Sequence, residues 1–362
     1  MRGRIHSGLV DSIVPLRYSR RRPVLLPGPL RVTIDSGRAP FSRLVRLLRP
    51  GALLITLLCA WAVSGCGQDP SDLVETSGPG NISFDTGSGP VPNPRAQAVL
   101  PASAGAVDLV ARLLPPERVC AMPAQALRYS GLRDASNPHL ALPTFAVYES
   151  ERVLDHKPDL VLAHGWQKLD TTSRLREAGI PVVVLHDAVD WQEIRAQILE
   201  VGRLLDVEPE AELLVAGYDR RLTSLNTELT GQRRPTALCY TNGGAGGWVA
   251  GAGTTNDTAL ELAGLRNLAA ESGRRGHVSI TFEELLLLDP EIIVVGGEAD
   301  AQQPGGTAEL LRTAPALAEL RAVREGGVLV LDSWLYTTTS HHVVDAAVEM
   351  ARLAAPLRDG GS

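Results

Sequence analysis

Two stretches of this chain repeat one pattern, and that repetition constrains the fold more than any other feature. Glu151–Gly165 reads ERVLDHKPDLVLAHG and Glu283–Gly297 reads EELLLLDPEIIVVGG. Aligned without a gap, the acidic starts, the apolar pairs, Pro158 with Pro290 and the apolar runs after each proline coincide. Each stretch describes a short helix, a proline that stops it and a buried strand. Thr281 and Glu284 have capping-box spacing at the start of the second helix. A second echo follows each unit. Leu175–Asp187 and Leu320–Ser333 both read as a helix end, a turn and another apolar strand. A looser third echo, strand then loop then helix, links Ala98–Leu113 with Thr236–Leu262. Helices alternating with apolar, β-branched strands predict parallel sheets covered on both faces. The expected fold class is therefore α/β, with two doubly wound parallel-sheet lobes.

Between the echoes lie two helical segments. Trp191–Leu205 carries Ile194, Ile198, Val201 and Leu205 at helical spacing. Pro209–Leu229 carries Leu214, Tyr218, Leu222, Leu225 and Leu229, with Pro209 suited to a first turn and Gly231 to a C-terminal cap. At 1.5 Å per residue the second helix would span about 31 Å, enough to join two lobes along their back. The expected division is an N-terminal extension and signal over 1–65, a tether over 66–95, a first lobe over 96–208, an inter-lobe helix over 209–230 and a second lobe over 231–362.

In doubly wound sheets ligands bind beyond the carboxyl ends of the strands. The residues after each apolar strand nominate a cleft: Ser103, Tyr129, His164, Trp166 and His186 from the first lobe, and Asn242, Trp248, Glu298, Trp334 and Tyr336 from the second. Aromatic residues are only 4% of the chain, yet Trp166, Trp248 and Trp334 all fall in these segments. Indoles on loops of a rigid scaffold suit stacking on large flat ligands. The glycine-rich stretch Asn242–Gly253 lacks GxGxxG spacing and a following Lys-Ser or Lys-Thr, so a phosphate cradle is not indicated. Its glycines are expected to let a bulky ligand approach the backbone. His164, His186 and His341 are the imidazoles available to a metal ion, with His341 and Asp345 at i,i+4 on a helix that Ser340 caps. No HExxH, GxSxG or paired-carboxylate arrangement nominates a catalytic centre. A formal net charge of -6 and a pI near 5.8 argue against nucleic acid as a partner.

Taken together, the chain resembles the substrate-binding proteins of bacterial ABC importers, in the helical-hinge class that carries iron–siderophores, haem and cobalamin. The resemblance rests on Leu100-Pro101-Ala102-Ser103, Lys157–Leu162, Gly179–Val184, Leu262-Ala263-Gly264 with Asn267, and Asp289–Val294. It implies a ligand cleft between the lobes, a transported metal chelate or tetrapyrrole, no catalytic residues, a monomer, and an ABC permease with its ATPase as partners. It also implies permease docking through one acidic residue on each lobe; the matching positions are Asp170 and, after the glycine stretch, Glu261 with Asp257. The alternatives are a free metal-ion carrier using His164, His186 and Glu298, and a metallocofactor-assembly or chelatase-like enzyme of the same architecture.

The N-terminal region agrees with export. Gly51–Val63 is uncharged and mostly apolar, follows Arg43, Arg46 and Arg49, and is too short for a span of roughly 20 residues. A basic flank, a short apolar core and small residues at its end describe a secretory signal. Val63-Ser64-Gly65-Cys66 resembles the bacterial lipobox, which implies lipidation at Cys66. No other covalent cofactor is expected. The stretch from Gly67 to Arg95 is rich in Gly, Pro, Ser, Asp and Asn and reads as a tether. The expected location is the cell envelope, lipid-anchored on the extracytoplasmic side of a bacterial membrane, the periplasm in a Gram-negative cell.

Overall fold

In both lobes the strands alternate their side chains between two apolar layers, and this builds the architecture. A computed structural model of the chain describes residues 90–244, 246–297 and 306–359. The signal segment, Cys66, the tether up to residue 89 and Glu298 lie outside the described residues.

The first lobe is a parallel sheet of β1 (Val99–Pro101), β4 (Leu160–His164) and β5 (Val182–Leu185), with β4 central. A parallel pair of β2 (Met122–Pro123) and β3 (Thr144–Phe145) continues it through the bridge of Val119 to Val99. Leu160 and Leu162 enter the layer shared with the inter-lobe helix, while Val161 and Ala163 pack with Val153 and Leu175 on the opposite face. The two-residue period of a strand sets this division.

The second lobe repeats the order. Its parallel strands are β6 (Thr236–Asn242), β10 (Ile292–Gly296) and β11 (Val328–Leu331), again with the middle unit in the centre. Ile292 and Val294 face one layer, Ile293 and Val295 the other. The helix–proline–strand units are realised as Ser150–Leu154 before β4 and Phe282–Leu288 before β10. The expected capping box is formed: Glu284 N donates to Thr281 Oγ1 at 3.2 Å, and Thr281 N donates to Glu284 Oε2 at 2.9 Å.

The second lobe departs from an all-parallel sheet at its other edge. The strand β8 (Arg266–Asn267) pairs parallel with β6, whereas β7 (Gly246–Ala250) pairs antiparallel with both β6 and β9 (His277–Thr281). Asn242–Gly253 is therefore largely a hairpin and not a loop. Its glycines serve strand contact: a Cβ on Gly247 would lie 2.4 Å from the Thr241 carbonyl oxygen, and one on Gly246 would lie 2.4 Å from that of Ile280. The expectation that they admit ligand is corrected at these two positions, where protein backbone occupies the space.

The inter-lobe helix runs Glu208–Leu229, about 33 Å at the standard rise. It buries Ala211, Leu214, Val215, Tyr218, Leu222 and Leu225, and Gly231 follows it at φ +78°. One apolar cluster extends from Val99 and Leu109 through this helix to Ile292 and Met350. The lobes therefore share a core, and α/β architecture with two lobes joined by one long helix is the fold.

Candidate ligand cleft

At the carboxyl end of β4, His164 is 4% exposed and its Nδ1 lies 2.8 Å from Ser103 Oγ. Ser103 also caps the Ala104–Leu113 helix by accepting from Ala106 N. Burial pushes the His164 pKa down to about 4, so the imidazole is neutral at pH 7. Trp166 stacks against that ring at 5.8 Å and 24° but is itself 58% exposed. Hence Ser103 and His164 form the base, and Trp166 presents the indole. Tyr129, half-buried, ends a short helix beneath the Arg128 guanidinium, and His186 is exposed just after β5.

The second lobe holds a cavity of about 260 Å³. Its floor is Cys239 on β6, and Trp248 and Ala250 on β7 with His277 on β9 form one wall. Thr255 and Asn256 approach from the next helix, and Tyr336 with the following threonines closes the other side. Trp248 is 51% exposed. Tyr336 fits against Gly296, where a Cβ would lie 3.0 Å from its ring, and its hydroxyl is 3.1 Å from Thr241 Oγ1. Asn242, at the end of β6, uses its side-chain oxygen to accept from Gly244 N and does not line this cavity.

Trp334 takes a third position, where the lobes touch. The Arg133 guanidinium of the first lobe lies 5.8 Å from its ring centre, and the His342 ring meets it edge-on at 5.0 Å. Around it, Asp108 of the first lobe accepts from Gly131 N at 2.6 Å and from Ser340 Oγ at 2.9 Å. His342 Nδ1 is 2.6 Å from Asp345, which also accepts from the Tyr218 hydroxyl at 2.8 Å and pairs with Arg221. Burial pushes the Asp108 pKa up to about 6, against the pull of His342. Burial would raise Asp345 too, but His342, Tyr218 and Arg221 outweigh it and hold that carboxyl below its ordinary value.

The expected His341–Asp345 pair is corrected here. The C-terminal helix begins at Val343, so His341 precedes it and Asp345 pairs with His342 instead. His341 is 1% exposed, and neither ring nitrogen has a hydrogen-bond partner among the described residues. Burial, the largest influence, pushes its pKa well below the ordinary value. Among the described residues no three His, Cys, Asp or Glu side chains converge as metal ligands. The sequence offers no local signal for His277 or His342, and for Asp108 only that it is a lone acidic residue in an apolar helix.

The acidic candidates separate in the same way. Asp170 is exposed and bridges Arg174 at 3.0 Å one turn along its helix. Glu261 is exposed, with its pKa raised by partial burial and then by Asp257. Asp257 is 9% exposed and accepts from Asn267 Nδ2 at 2.8 Å, an internal role that removes it as a docking residue.

Comparison with known proteins supports the same architecture. A family model described as "Periplasmic binding protein" matches residues 135–335, more than half of the chain. An uncharacterized ABC transporter substrate-binding lipoprotein of Bacillus subtilis, YvrC, is 24% identical over 57% of this chain and 65% of its own length. A cobalamin-binding protein of Halobacterium salinarum is 26% identical over 56% of this chain and 54% of its own. The chain thus spans between half and two thirds of these curated relatives. Among solved structures, a periplasmic heme-binding protein from Pseudomonas aeruginosa superposes with a TM-score of 0.61 at 25% identity, covering 72% of this chain and 92% of that one. The heme-binding HutB of Vibrio cholerae, 19% identical, gives 0.62 over 72% of this chain and all of its own, a likeness of fold. These relatives and neighbours are binding proteins and not enzymes, which sets the chelatase-like alternative aside. Two lobes on one long helix, with that family match across both, place the chain in the periplasmic binding protein family, in its helical-hinge class.

Proposed function

We propose that this protein is the lipid-anchored solute-binding component of an ABC importer. It captures a metal chelate or tetrapyrrole, of the iron–siderophore, haem or cobalamin kind, between its lobes and passes it to the permease. The observation that carries this reading is the exposure of Trp166 and Trp248, at 58% and 51%, on lobes that share one core. Exposed indoles on a rigid frame cost little to order and stack on flat ligands. The cobalamin-binding and heme-binding names of the relatives support the same ligand chemistry.

Cys66 is the proposed anchor, supported by its lipobox-like context and by the lipoprotein name of the Bacillus relative. In a strain that depends on this protein, Cys66→Ser is expected to release it from membranes or leave it unprocessed. Wild-type processing and membrane retention of that variant would remove the anchor. Asp170 and Glu261 are the proposed docking carboxylates. Opposed charges mainly set orientation and encounter rate. Reversing both to Lys is therefore expected to abolish uptake while leaving ligand affinity intact, and unchanged uptake would exclude them.

A further inference from the structure

The second-lobe cavity carries more information than its position, because its wall is rich in hydroxyl and amide groups. None of its lining residues is Asp, Glu, Lys or Arg. Instead it offers hydroxyls from Thr241, Thr255, Thr337, Thr339 and Tyr336, the amide of Asn256 and the imidazole of His277, around the half-exposed indole of Trp248. Hydroxyls and amides both donate and accept. The two acidic groups in the wall stay protonated: burial pushes the Cys239 thiol up to about 12, and burial followed by the neighbouring Cys239 raises the Tyr336 phenol. Of the neighbouring guanidinium groups, that of Arg274 is paired with Glu284, and that of Arg275, near Gly253, is not part of the lining.

A carboxylate or catecholate ligand would find no counter-charge in this wall. Removing such a charge from water without a partner costs several kcal/mol or more. Amide and hydroxamate groups, by contrast, are matched by neutral donors and acceptors. We infer that the second-lobe cavity receives the uncharged, amide- or hydroxamate-bearing face of a metal chelate, with Trp248 against its apolar surface and Thr241, Asn256, His277 and Tyr336 as its polar contacts. This rests on the chelate-binding reading above and selects among its ligands. Carboxamide-fringed corrinoids and neutral ferric hydroxamates share the chemistry; haem and ferric catecholates do not.

Calorimetric titration of the full chain with cyanocobalamin, ferrichrome, haemin and ferric enterobactin tests it. One of the two uncharged probes is expected to bind at least about tenfold more tightly than either anionic probe. Its Kd is expected to change by less than about twofold between 50 and 500 mM NaCl, since no ion pair is present to be screened. Asn256→Asp and Thr241→Asp should cost the neutral probe affinity without changing Tm enough to unfold the protein at the titration temperature. Tighter binding of haemin or ferric enterobactin, or a Kd that rises about tenfold with salt, would overturn this inference and leave chelate binding standing. Binding of none of the four would overturn both.

Discussion

At the scale of single residues, the most consequential group is Asp108, a nearly buried carboxyl held between Gly131 N and Ser340 Oγ. Its pKa, raised to about 6 by burial, means that the folded protein keeps this proton where the unfolded chain, near 3.8, has released it. Its contribution to stability is therefore fully present below pH 3.8 and is lost as pH rises through about 6. The displacement corresponds to at most about 3 kcal/mol. Asp108→Asn, which mimics the protonated form, should gain stability relative to wild type between pH 4.5 and pH 8. Parallel Tm curves for the two proteins over that range would show that Asp108 does not titrate there. The contact was invisible in the sequence because Asp108 and Ser340 are 232 residues apart. The sequence points to His341 because i,i+4 spacing to Asp345 assumes a helix that includes it, whereas the helix starts at Val343 and Asp345 pairs with His342. The indoles are legible because aromatics are scarce and Trp166, Trp248 and Trp334 all follow strands, although only the first two stand largely exposed.

At the scale of elements, the repeated units were readable because their signals are local. A proline stop, a capping box and a run of apolar residues lie within fifteen positions of one another, and β4 and β10 appear where those signals put them. The hairpin of β6 and β7 was not readable, because a glycine-rich strand has the composition of a loop. Its glycines are explained only by what sits beside them. Gly247→Ala would press a Cβ onto the Thr241 carbonyl and to within 2.5 Å of the buried Tyr240 ring, and should cost about 1–3 kcal/mol. Gly217→Ala, inside the inter-lobe helix with nothing within 4 Å, should instead stabilise by roughly 0.5–1 kcal/mol. Thermal unfolding of the two variants checks both signs; a neutral Gly247→Ala would mean the hairpin yields locally.

At the scale of the whole molecule, the lobes are tied in two ways. The shared apolar core passes through the Glu208–Leu229 helix, and the polar contacts of Asp108, Ser340, His342 and Asp345 join the first lobe to the second beside that helix. A joint of this kind favours small tilts of packed bodies over wide opening. On the proposed function, ligand capture would then depend on surfaces already formed, and the indoles and the cavity wall would matter more than closure. The direct test of that account is quenching of intrinsic tryptophan fluorescence when the full chain is titrated with the four chelates above. The account predicts saturable one-site quenching by at least one of them, weakened about two- to tenfold by Trp166→Ala and by Trp248→Ala, since each stacking contact contributes roughly 0.5–1.5 kcal/mol. Full affinity in both variants, or no quenching by any chelate, would contradict it.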